Sequence, residues 1–289
     1  MRLQSLVTAA LAPLALSAPF NTTIGPEKGH LVIVGGNLQS DSIWQRIIDL
    51  AGGPSSSIVV VPTAGGEPTY NQNFSSAQAF RRLGATNVTV LHTYDPAVAD
   101  TEEFVAPLRE AKGIFFGGGR QWRLVDAYAG TKAEVAFQAV LDRGGVISGS
   151  SAGASIQGSF LARGDTANNQ VMIGDHIVGF GYLKNAAVDQ HVLVRNRQFD
   201  MFDILKEYPE LLGVAVDEDT ALIVSGNDAV VFGSTYVIIY DGKFWSREGS
   251  DLKNLPPPES RFYFLRPGDR YDLALREVVQ PNGTVGING

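Results

Sequence analysis

The 289-residue chain contains no cysteine and only four histidines, three methionines and three tryptophans. Without thiols there is no disulfide framework, no thiolate metal site and no cysteine nucleophile, so stability must come from a packed core. Basic residues are also scarce: 23 Lys and Arg stand against 30 Asp and Glu, a formal charge of −7. That sign argues against nucleic acid as a partner. No apolar run is long enough to span a bilayer, so no membrane span is expected. What is present suits a core: 44% of residues are hydrophobic and 18% charged, ordinary values for a globular protein of this length.

The amino terminus, MRLQSLVTAALAPLALS, carries one positive charge at Arg2, an apolar run from Leu6 to Leu16 and small residues at its end. This is the pattern of a cleavable secretory leader, which predicts a secreted, extracellular protein. Cleavage is expected after Ser17, with Ala15 at the −3 position; a cut after Ala18 is the alternative, disfavoured by Pro19. Losing Arg2 with a leader that holds no acid lowers the charge by one. Four N-glycosylation sequons, at Asn21, Asn73, Asn87 and Asn282, fit the same compartment.

Along the rest of the chain, short Val- and Ile-rich runs alternate with segments of helical spacing. LVIVGG (31–36), SIVVVPT (57–63), VTVLHTY (88–94), GIFFGGG (113–119) and GVISGSS (145–151) read as buried parallel strands. SIWQRIIDLAG, SAQAFRRLGA, TEEFVAPLREA and TKAEVAFQAVLDRG lie between them. The alternation predicts an α/β fold, a doubly wound sheet with helices on both faces. From Gly213 the rhythm changes to short strands and turns, in VAVDEDTALIVSG, DAVVFG and TYVIIYDG, expected to form a hairpin-rich extension of the same sheet. NLPPPES (254–260) reads as a surface loop, and RFYFLRPGDRYDL after it as a segment returning to the core. With no long linker and no internal repeat, one domain covers residues 18–289.

Ligands of open α/β sheets bind outside the carboxyl ends of the strands. There the chain places five serines, Ser148, Ser150, Ser151, Ser155 and Ser159, around a Gly149-Ser150-Ser151-Ala152-Gly153 turn. This is GxSxG, the sharp strand-to-helix elbow that exposes a nucleophile and turns backbone amides towards an oxyanion. It selects Ser151, with Ser148 and Ser150 assigned to the tight turn and Ser155 and Ser159 to the helix behind it. A serine needs a base and an acid to orient that base. Of His30, His92, His176 and His191, the first two read as structural. His176 is possible, while His191 lies in a dense polar stretch, DQH, followed by two arginines. Asp217, Glu218 and Asp219 interrupt two apolar runs and supply candidate acids. An esterase of the usual α/β-hydrolase order would need His176 or His191 paired with Asp165, Asp175 or Asp189, all crowded into the forty residues after Ser151. The order Ser151, His191, Glu218 fits the chain better.

GSSAGA (149–154), DQH (189–191) followed by Arg195 and Arg197, VDEDTAL (216–222) and FFGGGRQWRL (115–124) together resemble the cyanophycinase and aspartyl dipeptidase (peptidase E) family of serine peptidases. The likeness is collinear from Leu31 to about Tyr240. It implies a three-layer, mostly parallel fold similar to class I glutamine amidotransferases, with Ser151 as nucleophile, His191 as base and Glu218 as its orienting acid. It also implies Gly118 or Gly119 with Ala152 as oxyanion donors, Gln121 as a substrate contact, and Arg195 and Arg197 as part of a carboxylate-binding patch. Guanidinium groups grip carboxylates bidentately, so an acidic or β-aspartyl peptide is the expected substrate. No cofactor and no metal are expected. The chain departs from the family pattern at Arg120, where an acid is usual, and at Asp200, where a third arginine is usual. Both are expected to reverse charge near the specificity pocket, leaving cyanophycin and small aspartyl or isoaspartyl peptides as alternative substrates. A secreted esterase and a non-catalytic binding protein on the same fold are the competing readings.

Overall fold

The computed structural model describes residues 23–247 and 254–279. The expected leader, Asn21 and Asn282 lie outside them. Five parallel strands form the first half of the main sheet: β1 (His30–Val34), β2 (Ile58–Val61), β3 (Val88–Val90), β4 (Gly113–Phe116) and β5 (Val146–Ser150). Almost every residue in these runs is buried, as expected where helices cover both faces. The connecting helices are α1 (Asp41–Leu50), α2 (Ser75–Arg82), α3 (Pro96–Ala99), α4 (Glu102–Arg109), α5 (Trp122–Tyr128), α6 (Lys132–Asp142) and α7 (Ala152–Ser155). Helix α1 shows why they dock: Ile43, Trp44, Ile47 and Ile48 recur on one face and are all buried. Thr101 and Thr131 cap α4 and α6 by accepting hydrogen bonds from Phe104 and Ala133 amides.

The remaining strands are β6 (Gly158–Phe160), β7 (Leu183–Gln190), β8 (Leu212–Val216), β9 (Thr220–Ser225), β10 (Asp228–Gly233), β11 (Val237–Tyr240), β12 (Tyr263–Leu265), β13 (Arg270–Asp272) and β14 (Glu277–Val279), with α8 (Met201–Glu207) after β7. The nine-stranded sheet runs β14-β13-β10-β9-β1-β5-β4-β2-β3, antiparallel from β14 to β1 and parallel beyond it. A five-stranded sheet, β12-β11-β8-β7-β6, packs against one face of it. Helices α1 and α2 cover the other face, and α8 lies on the outside of the smaller sheet. The architecture is therefore the layered α/β fold expected, with one correction: the segment after Gly213 does not extend a single sheet. Strand β8 belongs to the smaller sheet and β9 to the larger, so the chain crosses between sheets at Asp217–Asp219, where Asp219 has φ +50°. Two serines also differ from expectation. Ser148 lies within β5, its hydroxyl donating to the Ile114 carbonyl, and Ser159 lies in β6 rather than on a helix. The loop at 254–260 is largely exposed, and Tyr263, Leu265, Tyr271 and Leu273 return to the core as expected. No helix among the described residues is long and apolar enough to cross a membrane.

Candidate active site

The carboxyl ends of β1, β4, β5, β7 and β8 meet at one place, and each contributes one part of the site. At the end of β5, Ser151 takes φ +58° and ψ −115°, a strained backbone for a residue with a side chain. The turn closes only because its flanking glycines have no Cβ: one on Gly149 would lie 2.2 Å from the Gly153 carbonyl oxygen, and one on Gly153 would lie 2.1 Å from that of Phe116. The Ser151 amide donates to the Val34 carbonyl, tying the elbow to β1. Helix α7 beyond it is a single turn, so its first amides matter more than any macrodipole.

His191 follows β7 with φ +54°, its amide donating to the Gly35 carbonyl. Its Nε2 lies 2.8 Å from Ser151 Oγ, and its Nδ1 lies 2.6 Å from Glu218 Oε1. An ionised carboxylate only accepts, so Nδ1 carries the proton and Nε2 faces the serine hydroxyl as acceptor. Burial lowers the imidazole below its ordinary value of 6.5, and the nearby Arg195 and Arg197 charges add to this against the opposing pull of Glu218. Burial works against ionisation of Glu218, but hydrogen bonds from His191 and Asn37 overcome it and hold its pKa below the usual range. Near neutral pH the pair is thus a neutral base and an ionised acid.

Each of the three successive acids has a separate task. Asp217 is buried and accepts from the Leu193 and Val194 amides, fixing the turn after His191. Glu218 meets the imidazole. Asp219 accepts from the Gln39 and Ser40 amides and from the Ser40 and Ser234 hydroxyls, so it caps the approach to α1.

Sequence reasoning missed the segment Gly35–Gly36–Asn37. Asn37 Nδ2 donates to Glu218 Oε2 at 2.9 Å, holding the carboxylate oxygen that His191 does not use, and Asn37 Oδ1 accepts from Gln39 Nε2. A Cβ on Gly36 would lie 2.1 Å from His191 Cε1, and one on Gly35 would lie 2.1 Å from the Asp217 carbonyl oxygen. The glycine pair ending the first strand was the available signal: here backbone must pass directly beneath the imidazole.

The GGG loop after β4 closes the other side of the nucleophile. A Cβ on Gly118 would be 3.3 Å from Ser151 Cβ and 3.7 Å from its Oγ, whereas Gly119, at φ +137°, turns against the Ala64 carbonyl. The Gly117 and Arg120 amides donate to Val61 and Ala64. Gly118 and Ala152 therefore border the space in front of Ser151 Oγ, and Gly119 shapes the loop.

The other expected contacts are placed less uniformly. Arg195 is exposed near the imidazole and forms no ion pair among the described residues, whereas Arg197 is buried behind it, donating to the carbonyl and Oε1 of Gln190. Gln121 is 1% exposed, its Nε2 donating to the Ala162 carbonyl. Asp200 pairs at 2.6 Å with Arg163, a buried guanidinium that also grips Asp189 with two hydrogen bonds, so two carboxylates share one cation. Neither Arg163 nor this pairing was foreseen. Arg120 donates to the Asp165 carbonyl.

The alternative histidines lie elsewhere. His176 sits between Asp175 and Asp126, His92 bonds Thr63 and packs on Tyr70 and Tyr94, and His30 begins β1 at the opposite end of the strands. Asn73 and Asn87 are exposed. No group of three or more His, Asp or Glu side chains among the described residues is arranged to hold a metal ion.

This arrangement has relatives. The chain is 28% identical over 266 residues to a cyanophycinase of Geminocystis herdmanii, covering 88% of this chain and 96% of that protein. It is 29% identical over 281 residues to a cyanophycinase of Synechococcus elongatus, covering 92% and 87%. Among solved structures, a peptidase from an acI-B1 actinobacterium superposes with a TM-score of 0.63 at 25% identity, covering 86% of this chain and 98% of that one. Residues 31–232, which carry Ser151, His191 and Glu218 together with the loops around them, match the model of peptidase family S51, and the chain belongs to that family.

Proposed function

We propose that the protein is a secreted serine peptidase that hydrolyses aspartyl or β-aspartyl peptide bonds through a Ser151–His191–Glu218 triad and an acyl-enzyme. The observation that carries this reading is the unbroken chain from Ser151 Oγ through both imidazole nitrogens to Glu218. Ser151 attacks the scissile carbonyl as His191 Nε2 takes its proton, and Glu218 stabilises the imidazolium. The Gly118 and Ala152 amides hold the oxyanion. The amine departs with the proton from His191, and water, activated by the same imidazole, releases the acid and restores Ser151.

Arg195, exposed and in no ion pair among the described residues, is the group suited to receive the aspartyl carboxylate. Arg197 acts from behind, holding Gln190 and with it the entry to His191. The cyanobacterial relatives are cyanophycinases, which makes a β-linked aspartyl substrate the first to test. Secretion rests on the leader pattern of residues 1–17, and the exposed Asn73 and Asn87 are the sequons open to glycan attachment. The esterase reading loses support because the histidine that meets Ser151 is His191 and its acid is Glu218, while Asp189 pairs with Arg163, Asp165 accepts from the Ala167 and Asn168 amides, and the Asp175–His176 pair has Asp126 on its other nitrogen instead of Ser151.

The test is product release from cyanophycin, β-Asp-Arg and a panel of Asp-Xaa dipeptides by the protein purified from culture medium, with Ser151→Ala as control. Cleavage that disappears in the variant supports the reading. Cleavage of none of these substrates, or cleavage that survives in the variant, defeats it.

A further inference from the structure

Arg163 is the largest fully buried side chain among the described residues, 1% exposed, and no step of the mechanism above uses it. It follows β6 with φ +59° and reaches three segments of chain at once. Its Nε and Nη2 donate to the two oxygens of Asp189 at 2.7 and 2.9 Å, Nη2 also donates to Asp200 Oδ2 at 2.6 Å, and Nη1 donates to the Asn169 carbonyl. Asp189 lies in β7, two residues before His191, and Asp200 directly precedes α8. The guanidinium thus ties together the two ends of the segment 189–200, which carries both His191 and Arg195.

Within that segment lies a second buried guanidinium with different partners. Arg197, 8% exposed, forms no ion pair among the described residues, and its Nη1 donates to neutral oxygens, the carbonyl and Oε1 of Gln190. Burial and the Arg163 charge lower the Arg197 pKa, against Asp189 and Asp200, so the two cations and two carboxylates lie within electrostatic reach of one another. A buried cation ordinarily takes a carboxylate in preference to a neutral oxygen, because a charge-assisted pair offsets more of its lost hydration. Here both carboxylates are held by Arg163, which meets Asp189 with two parallel bonds, the match of a guanidinium fork to a carboxylate. Arg197 is left on Gln190, the residue before His191, with its charge unmatched.

We infer that Arg163 is a positioning residue that governs specificity: by engaging Asp189 and Asp200 it keeps Arg197 on Gln190 and keeps the positive charge around Arg195 available to an acidic substrate. The inference rests on the peptidase reading above. Without Arg163, Arg197 turns to the two freed carboxylates and releases Gln190, and the cluster loses one positive charge. The substrate carboxylate then meets a weaker field at Arg195. His191, whose pKa is lowered by burial and by Arg195 and Arg197 against the pull of Glu218, then holds its proton more tightly.

The experiment measures kcat and KM on α- and β-linked Asp-Xaa dipeptides, and the pH dependence of kcat/KM, for the wild type, Arg163→Met, Arg163→Lys and Asp200→Asn. In parallel, the rate of Ser151 labelling by a fluorophosphonate is followed with aspartate or asparagine as protectant, which also reports whether each variant retains a formed site. Arg163→Met is expected to raise KM about tenfold or more with kcat within about threefold, the size of a lost charge-assisted contact, and to move the acid limb of kcat/KM to higher pH. Arg163→Lys keeps the charge but not the fork, and its KM should fall between those of the wild type and Arg163→Met. Asp200→Asn removes a carboxylate while leaving Arg163 on Asp189, so it should lower KM, by about twofold, and leave the acid limb no higher. A purely structural bridge would instead give losses of one sign in all three variants, with the acid limb in place. That pattern, a rise in KM for Asp200→Asn, or a KM untouched in Arg163→Met overturns the inference while leaving the peptidase reading intact. If Arg163→Met does not fold, the opposite signs expected of Arg163→Lys and Asp200→Asn decide. Selective protection by aspartate that weakens in the Arg163 variants, with no dipeptide cleaved, retains the positioning role and removes the aspartyl peptide substrate. Absence of both cleavage and labelling in the wild type removes both.

Discussion

His191 and His176 each have a carboxylate within 3.0 Å, yet their surroundings suit them to opposite work. His191 has one acid, Glu218 on Nδ1, and its second nitrogen faces the Ser151 hydroxyl. His176 has two, Asp175 on Nδ1 and Asp126 on Nε2, so neither nitrogen is free to accept a proton from a substrate or a nucleophile. Burial dominates at His191 and lowers its pKa; at His176 burial also opposes the charge, but the two carboxylates outweigh it and raise the pKa. A histidine beside an acid is therefore not enough for a base. One nitrogen must be left for the reacting proton, and the ring must be neutral at working pH. The contrast predicts that His191→Ala lowers kcat/KM by about 10⁴- to 10⁶-fold, as removal of a triad member does. His176→Ala should lower it by less than about threefold. Steady-state rates on any substrate the wild type cleaves decide this, and equal losses in the two variants would erase the distinction.

Smaller losses should follow the support of the acid outward from His191. Glu218→Gln keeps the shape but loses the charge that holds the tautomer, and kcat should fall by about 10³- to 10⁴-fold. Asn37→Ala removes one charge-assisted hydrogen bond to Glu218 and should cost about tenfold in kcat with KM little changed. The counterpart on the His176 side, Asp126→Asn, should leave kcat within about twofold. A KM effect larger than the kcat effect in Asn37→Ala would mean that Asn37 touches substrate instead of positioning the acid.

Much of this was legible in the residues. Continuous Val and Ile runs marked the five parallel strands, because a strand buried on both faces has no polar positions to spare. GxSxG marked the elbow through its steric requirement for small neighbours. Legibility failed where placement depends on partners distant in sequence. The expected strand over 88–94 stops at Val90, because His92 and Tyr94 turn out of the sheet to pack against each other and His92 against Tyr70. The run after Gly213 was assigned to one sheet, since alternation along a strand does not tell which sheet a strand joins. Glu218 is named among the three successive acids from the residues, but the separate tasks of Asp217 and Asp219 depend on the left-handed backbone at Asp219, which sends each side chain in a different direction. The pairing of Asp200 with Arg163 is not legible in the residues, because Arg163 lies 37 residues away in a loop with no motif.

The two histidines should also leave opposite marks on stability against pH, and this is the smallest and most discriminating effect. At His191 the folded-state pKa lies below 6.5, so the unfolded chain binds the proton more tightly. Its contribution is fully present above pH 6.5 and is lost as pH falls through the lowered folded value. At His176 the folded-state pKa lies above 6.5, so the folded chain holds the proton more tightly. Its contribution is fully present below pH 6.5 and is lost as pH rises through the raised value. His191→Gln should therefore flatten the acid side of a Tm-against-pH curve, and His176→Gln the side above pH 6.5. The activity profile sharpens the comparison: the acid limb of kcat/KM should have its midpoint below pH 6.5, and Arg195→Gln, which removes a cation that helps lower the His191 pKa, should move that midpoint upward while His176→Gln leaves it in place. An acid limb that follows His176 instead would reverse the roles of the two rings.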